Sequence, residues 1–192
     1  MIEKYTFRKS LSSVNKIFVI ICGIVFIIQV GFLEINRFLI SYFGLVPILV
    51  KKGYLWQLFT YVFLHAGIMH LFFNLLFIWQ LGSDLEFELG RKKYRLLVLF
   101  IIIGTGLTTF IVQFGSSIPN IGSSAFAFGI MGAYTFLFPD MYILNVKIKI
   151  RYILLVFFLL EILAFTQIAH IIGFILGYLF LRTDILRIFD EQ

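Results

Sequence analysis

The segment GSSAFAFGIMGA, from Gly122 to Ala133, is the part of the chain from which its architecture can be worked out. It places two serines where an uncharged polar loop, residues 113–122, turns into an apolar run that continues to Pro139. We expect a helix to begin at Ser124. A hydroxyl there is surrounded by free backbone N–H groups at the positive end of the helix dipole. That environment favours a developing alkoxide and an oxyanion. The alternative is an ordinary capping serine.

Small residues recur at a spacing of four in two places: Ala125, Gly129 and Ala133 in this segment, and Ala169, Gly173 and Gly177 further along. Residues four apart lie on one helical face, and a face of small residues lets a second helix approach closely inside a membrane. If the two faces meet, they bring the helix that starts at Ser124 against the helix that contains His170. The alternative is that each set only serves local packing.

The composition indicates an integral membrane protein. Of 192 residues, 61% are hydrophobic and only 14% are charged, whereas a soluble domain carries about 25% charged residues. The net charge of +6 does not indicate nucleic-acid binding, because the basic residues lie in short clusters between apolar runs, where they orient membrane helices. The single cysteine, Cys22, cannot form an intrachain disulfide. We expect no metal and no cofactor.

Six apolar runs predict an all-α protein, a bundle of six transmembrane helices. The predicted spans are residues 17–33, 69–85, 96–112, 124–138, 152–165 and 167–181. Residues 1–16 and 183–192 are predicted to be tails, and residues 17–182 to be the membrane domain. Residues 34–67 predict a large first external loop of short helices that lie partly in the membrane interface, with Trp56 and Tyr61 at headgroup level.

The distribution of Lys and Arg predicts the orientation. With the N-terminus inside, the cytoplasmic segments hold thirteen of the 16 basic residues, and the external segments hold Arg37, Lys51 and Lys52. Basic residues accumulate on the cytoplasmic side of membrane proteins. The sequence therefore predicts that both termini are cytoplasmic.

With this orientation, polar residues from three spans lie near the external face. His70 opens the second span, Ser124 the fourth and His170 the sixth, and Asn74 follows His70 by one helical turn. Polar groups in a membrane are costly unless they are paired or hydrated. A serine beside a histidine forms a nucleophile with its general base, and the side chains of His70 and Asn74 can donate to an oxyanion. The alternative is that these groups only link helices by hydrogen bonds.

These residues resemble the rhomboid family of intramembrane serine proteases over roughly residues 56–180. The motifs that carry the resemblance are His70-Leu-Phe-Phe-Asn74, Gly82-x-x-x-Glu86-x-x-x-Gly90, Gly122-Ser-Ser124 with Phe128-Gly129 and Gly132-Ala133, and Ala169-His170-x-x-Gly173-x-x-x-Gly177. The resemblance implies a rhomboid-like six-helix bundle with a water-filled cavity that opens to the outside. It also implies substrates that are single-span transmembrane proteins, cut in or near the lipid bilayer.

The resemblance assigns roles to the matching positions. Ser124 is the expected nucleophile and His170 the base of a dyad without a third acid. His70, Asn74 and the Ser124 backbone N–H are the expected oxyanion hole. The residues expected to pack beside the site are Gly122, Ala125, Phe128, Gly129, Gly173 and Gly177, with Phe128 next to the His170 ring. From the compact length and the lack of a transit peptide we expect a bacterial plasma membrane, with the site facing the exterior or periplasm.

Two positions depart from the family pattern. Ala125 follows the expected nucleophile where the family usually has glycine, and Gln57 follows Trp56 where the family usually has arginine. Ala125 supports the alternative of an inactive, pseudoprotease or derlin-like relative that binds membrane segments. His65 and Glu86 are expected to be structural, and Glu161 in the fifth span has no assigned role.

Overall fold

The computed structural model describes residues 12–141, 149–164 and 168–183. Its helices are α1 (Ser13–Gly31), α2 (Leu33–Phe43), α3 (Pro47–Lys51), α4 (Gln57–Thr60), α5 (Ile68–Val112), α6 (Ser124–Leu137), α7 (Ile150–Ala164) and α8 (Ile168–Arg182). A single 3₁₀ turn, Tyr61–Phe63, follows α4. An isolated antiparallel bridge joins Leu45 and Asn120. The protein is all-α, as predicted.

The first helix begins earlier than the sequence predicts. The predicted tail reaches residue 16, but α1 starts at Ser13. The cause is Glu86, whose carboxylate accepts hydrogen bonds from Ser13 Oγ at 2.9 Å and from the backbone N–H of Val14 at 3.1 Å. A carboxylate from another helix thus caps the free N–H groups of α1. The structural role expected for Glu86 is confirmed.

Helix α5 contains the predicted second and third spans together with the basic residues between them. Helix α5 runs through this region and departs from helical geometry at Gly90, with φ 76° and ψ 157°. A Cβ atom at Gly82 would lie 2.5 Å from the hydroxyl oxygen of Tyr94. These residues would be about 18 Å apart in a straight helix. The chain therefore reverses at Gly90, giving a first arm (residues 68–89) and a second arm (residues 91–112).

Helix α6 lies at the centre of the bundle, and its residues 125–135 are all buried. The ring of Phe126 contacts Phe18 of α1, with 5.2 Å between ring centroids. The Tyr134 hydroxyl donates to Asp84 of the first arm of α5 at 3.1 Å. A helix that is apolar on all sides is expected at such a position. The surrounding helices hold Ser124 in place from several directions.

The outer surface of the bundle is apolar. Among the described helices, α1 and α5 are long and apolar enough to cross a membrane, and α6 and α8 are shorter apolar helices. Large apolar side chains such as Ile27 of α1 and Ile111 of α5 point away from the core. An apolar exterior of this extent belongs in lipid rather than water. The chain is therefore an all-α membrane protein.

The segment between α1 and α5 forms short helices, as predicted. Tyr61 is not at headgroup level but buried, with its hydroxyl 2.7 Å from Thr105 Oγ1. Trp56 Nε1 donates to the carbonyl oxygen of Tyr42 at 2.9 Å. Gln57 is completely buried; its Nε2 donates to the same carbonyl at 3.1 Å, and its Oε1 accepts from the backbone N–H of Val46 at 3.0 Å. The Gln57 amide therefore forms hydrogen bonds with backbone groups on both sides of Gly44. Glutamine at this position, where the family usually has arginine, still holds the loop together.

Candidate active site

Ser124 and His170 are in direct contact. Ser124 is the first residue of α6 and His170 lies in the first turn of α8. The distance between Ser124 Oγ and His170 Nε2 is 2.7 Å, which is a short hydrogen bond. His170 is buried, whereas Ser124 is only half-buried. A hydroxyl with a base at hydrogen-bond distance and a partly open face has the arrangement that nucleophilic catalysis requires.

The hydroxyls of the two serines do not cap α6. Ser123 occupies the N-cap position, and neither its side chain nor any other makes the capping hydrogen bond. Instead, Ser123 Oγ lies 3.0 Å from Nε2 of His65. The two adjacent hydroxyls thus bond to two different histidines, and neither serves as the helix cap that was the alternative interpretation.

The His170 ring is fixed by stacking. The rings of Phe128 and His170 are parallel within 7°, with their centroids 4.7 Å apart. Phe128 lies one turn after Ser124 on α6, so one helix both presents the hydroxyl and supports the imidazole that contacts it. This packing is the arrangement that the family resemblance implies for Phe128.

Glycines bring α6 and α8 close enough for this contact. A methyl group at Gly173 would overlap the carbonyl oxygen of Ala125, and one at Gly177 would overlap the carbonyl oxygen of Gly129. In the other direction, a methyl group at Gly132 would overlap the carbonyl oxygen of Phe174. The two helices therefore touch backbone to backbone, as small residues permit inside a membrane.

Gly129 of the predicted face contacts α8 through its backbone, whereas the position of its missing side chain faces α5. A Cβ atom at Gly129 would collide with Ile101 of the second arm of α5, not with α8. Gly129 offers α8 its carbonyl oxygen, and Gly132 is the residue whose missing side chain makes room for α8. The reason is that α6 is surrounded on every side, so glycines on different faces serve different neighbours.

His70 packs against the turn that precedes Ser124. A Cβ atom at Gly122 would lie 2.6 Å from Cε1 of His70, and Gly122 has φ 119°. Glycine is therefore required at residue 122 both by its backbone conformation and by the histidine ring. Asn74, one turn further along α5, is buried, and its Nδ2 has no hydrogen-bond partner within the described residues. A buried donor without a partner destabilises the fold. Such a donor is available to form a hydrogen bond with a ligand.

The loop before α5 holds the same turn from the other side. The carbonyl oxygen of Tyr61 accepts from Gly122 N–H at 3.0 Å, and Gln29 Oε1 of α1 accepts from the backbone N–H of His65 at 3.0 Å. Burial lowers the pKa of His65 to about 4, and the neighbouring His70 imidazole adds to this. His65 is therefore neutral at pH 7. Sequence reasoning missed the pairing of His65 with Ser123, because no local signal links residues 58 positions apart.

The remaining sequence expectations concern Ala125 and Glu161. Ala125 is buried, with its carbonyl oxygen against Gly173; the extra methyl is accommodated without separating α6 from α8. The side chain of Glu161 lies outside the part of the chain that the structure describes.

Comparison with known proteins gives the family. A profile of the Rhomboid domain matches residues 52–187, which is more than two thirds of the chain. The chain belongs to the rhomboid family. The matched range contains Ser124, His170, His70 and Asn74. The part of the chain that shows the family is therefore the part that forms the candidate site.

Relatives with this rhomboid domain come from distant organisms. The chain is 37% identical over 86 residues to rhomboid protease GluP of Bacillus subtilis, covering 44% of the chain and 16% of the relative. It is 35% identical over 86 residues to rhomboid-like protease 1 of Toxoplasma gondii, covering 45% and 29%. It is 35% identical over 83 residues to rhomboid protease GlpG of Salmonella newport, covering 43% and 29%. The matches span less than a third of the length of these relatives.

Proposed function

We propose that the protein is an intramembrane serine endopeptidase that cleaves transmembrane segments with a dyad of Ser124 and His170. The observation that supports this most is the 2.7 Å distance between Ser124 Oγ and His170 Nε2. Family membership supports the same reaction class, since the relatives named above are called proteases.

The proposed reaction begins with attack of Ser124 Oγ on the scissile carbonyl carbon, while His170 Nε2 takes the hydroxyl proton. The C–N bond then breaks, and the imidazolium returns this proton to the leaving amine. An ester links the substrate to Ser124. Water, deprotonated by His170, attacks the ester carbonyl and releases the carboxylic acid, and the proton returns to Ser124 Oγ. Atoms and charges balance without a cofactor.

Three donors are proposed to hold the oxyanion: the Asn74 amide, the His70 imidazole and the Ser124 backbone N–H. The unpaired Nδ2 of buried Asn74 supports this role, because a donor that is already desolvated stabilises a developing charge without reorganisation. The start of α6 adds the positive end of its dipole.

We further propose six spans with both termini inside and a site that faces the exterior or periplasm of a bacterial plasma membrane. Helix α6 has 14 residues and is therefore about 21 Å long, shorter than the hydrocarbon core of about 30 Å. If its C-terminal end reaches the cytoplasmic surface, Ser124 lies below the outer surface, in a water-filled cavity. Single-span membrane proteins are the proposed substrates.

Activity-based labelling tests the assignment. Detergent-solubilised protein is treated with a fluorophosphonate, and the labelled peptide is mapped. We expect the label on Ser124 and not on Ser123, and we expect Ser124→Ala and His170→Ala to abolish both labelling and cleavage of a single-span substrate. A Ser124→Ala variant that cleaves as well as the parent would refute the proposal.

The second candidate is an inactive rhomboid-like binding factor, of the pseudoprotease or derlin-like kind, and Ala125 is the observation that favours it. If the Ala125 methyl is a mild obstruction to an active site, Ala125→Gly raises the cleavage rate a few-fold, which is less than about 1 kcal/mol of activation free energy. The rate is measured on the same single-span substrate. An unchanged or lower rate contradicts the obstruction, and a parent without labelling or cleavage favours the binding factor.

A further inference from the structure

A pocket of about 450 Å³ is separate from the candidate active site, since neither Ser124 nor His170 lines it. It is formed by α2, by α3 and by the loop before α6. Its wall is apolar, with Ile40, Leu49 and Pro119 among the lining residues. Arg37 and Ser117 also line it. We refer to it as the outer-loop pocket, and its volume lies within the range of about 300–1,000 Å³ that is typical of ligand sites.

The floor of the outer-loop pocket is held by backbone hydrogen bonds. Ile48 N–H donates to Ser116 O at 3.0 Å, and Leu45 and Asn120 exchange hydrogen bonds of 2.9 Å and 2.8 Å. These bonds join the start of α3 to the loop before α6. The pocket is therefore built into the fold and does not depend on side-chain positions alone.

Arg37 supplies a positive charge at this pocket. The distance from Arg37 Nη1 to Glu34 Oε1 is 3.1 Å. Both side chains of this ion pair are exposed, at 77% for Arg37 and 85% for Glu34. Such an exposed pair contributes little, so the guanidinium can exchange this partner for another anion at small cost. Lys51 and Lys52 add positive charge on the same outer segment, where Glu34 is the one acidic residue between positions 32 and 67. A planar guanidinium binds phosphate through two parallel hydrogen bonds.

The surroundings of the pocket are apolar and exposed. Ile118, between the lining residues Ser117 and Pro119, is 70% exposed. Helix α2 has no buried residue, and its large side chains Leu33, Ile35 and Phe38 are exposed as well. A short helix with this pattern lies in the interface between lipid headgroups and acyl chains. The pocket therefore opens where both parts of a lipid molecule are present.

We propose that the outer-loop pocket binds one anionic phospholipid, with an acyl chain against Ile40 and Leu49 and the phosphate on Arg37. A transmembrane helix with its side chains is about 10–12 Å across, too wide for a pocket of about 450 Å³, whereas an extended acyl chain fits. The positive charge of the segment favours an anionic headgroup over a zwitterionic one. This inference is independent of the proposed cleavage reaction.

Lipid retention measured by native mass spectrometry tests the inference. The full-length protein in a neutral detergent is titrated with phosphatidylglycerol or with phosphatidylcholine of the same acyl chains. We expect one tightly retained phosphatidylglycerol per chain, and we expect Arg37→Gln to lower its affinity about fivefold, as for one basic residue beside an anionic headgroup. Ile40→Trp, which fills the pocket, should abolish retention of this lipid while α-helical content and melting temperature stay close to the parent.

Lys52→Gln is the matched control, because it removes an exposed outer charge that does not line the pocket. It should leave the retained phosphatidylglycerol in place. Equal retention of the two lipids, an Arg37→Gln variant that binds like the parent, or an equal loss in Lys52→Gln would overturn the inference. Displacement of the lipid by a single-span substrate, with KM raised in Arg37→Gln in the absence of phosphatidylglycerol, would assign the pocket to substrate instead. If Ile40→Trp does not fold, Arg37→Gln alone decides, since its side chain is exposed.

Discussion

Two neighbouring serines at the start of α6 have different surroundings and different histidine partners. Ser123 is completely buried and bonds to His65, whereas Ser124 is half-buried and bonds to His170. The two hydroxyls have the same chemistry and differ by one position in the chain. The residues therefore form a pair in which each substitution is the control for the other.

We predict opposite outcomes for the two alanine variants. Ser124→Ala should abolish cleavage and lower the melting temperature less than Ser123→Ala does, because the Ser124 hydroxyl is half-buried whereas that of Ser123 is completely buried. Ser123→Ala should lower the free energy of unfolding by about 1–3 kcal/mol, since it leaves the buried His65 without its partner, while cleavage and labelling at Ser124 remain detectable. Thermal unfolding and substrate cleavage of both variants check this. A Ser123→Ala variant as stable as the parent would contradict it.

The neutral state of His65 predicts a dependence of stability on pH. The pKa of His65 is lowered to about 4 in the folded protein, against about 6.5 in an unfolded chain. Between these values the unfolded state binds more protons, so stability is constant above about pH 6.5 and falls as pH decreases toward 4. This residue contributes a slope of up to about 1.4 kcal/mol per pH unit.

Melting temperatures between pH 7.5 and pH 4 measure this slope. The control is His65→Gln, which keeps a polar group for Ser123 but does not titrate. The variant should lose part of the acid sensitivity, and the difference between the two curves isolates His65 from His70 and His170. Parallel curves for parent and variant would show that protonation of His65 is not involved.

At the scale of the helices, the close approach of α6 and α8 depends on glycine. Gly177→Ala should separate the helices, since the added methyl overlaps the carbonyl oxygen of Gly129. Overpacking of this kind costs about 1–3 kcal/mol, and separation of Ser124 from His170 should reduce cleavage at least about tenfold, as proximity effects are steep. Gly23→Ala in α1 is the control, because no atom lies within 4 Å of a Cβ there. Equal stability and activity of both variants would contradict the prediction.

The helices were predictable from the sequence where an apolar run alone determines them. The predicted fourth and sixth spans agree with α6 and α8 within one residue at either end. A reversal between residues 85 and 96 was predictable, because the second and third spans need a connection. Its position at Gly90 and the helical conformation of Arg91 to Arg95 were not. The neighbour of Gly129 was also missed, since spacing gives the face of a helix but not its rotation within a bundle.

The pairing of Ser124 with His170 follows from the sequence only if two apolar helices meet at matching depth. Composition, charge distribution and the family motifs all favoured contact between α6 and α8, and the small residues of α8 indicated which of its faces is in contact. The contacts of His65 with Ser123 and of Gln57 with the backbone near Tyr42 were beyond reach, because each joins segments that no periodicity connects. Polar contacts between loops depend on the assembled structure, not on local pattern.

At the scale of the whole molecule, the proposed topology has a direct test. In a Cys22→Ala background, Lys52→Cys lies in the segment proposed to be external and Lys92→Cys beside the reversal at Gly90, which is proposed to be cytoplasmic; both positions are exposed. A membrane-impermeant maleimide should label Lys52→Cys in intact cells and Lys92→Cys only after the membrane is opened. Labelling of Lys92→Cys in intact cells would invert the orientation and place Ser124 on the cytoplasmic side.

The capping of α1 by Glu86 has a consequence for biogenesis. Helix α1 is synthesised more than fifty residues before Glu86, whose carboxylate completes its first turn. Ser13 and Val14 therefore lack this hydrogen-bond acceptor until the first arm of α5 packs beside them. Until then the opening turn of α1 frays at the membrane surface. Helix α1 is therefore synthesised before the residue that completes its first turn, and a nascent chain arrested before residue 86 has these groups without their carboxylate partner.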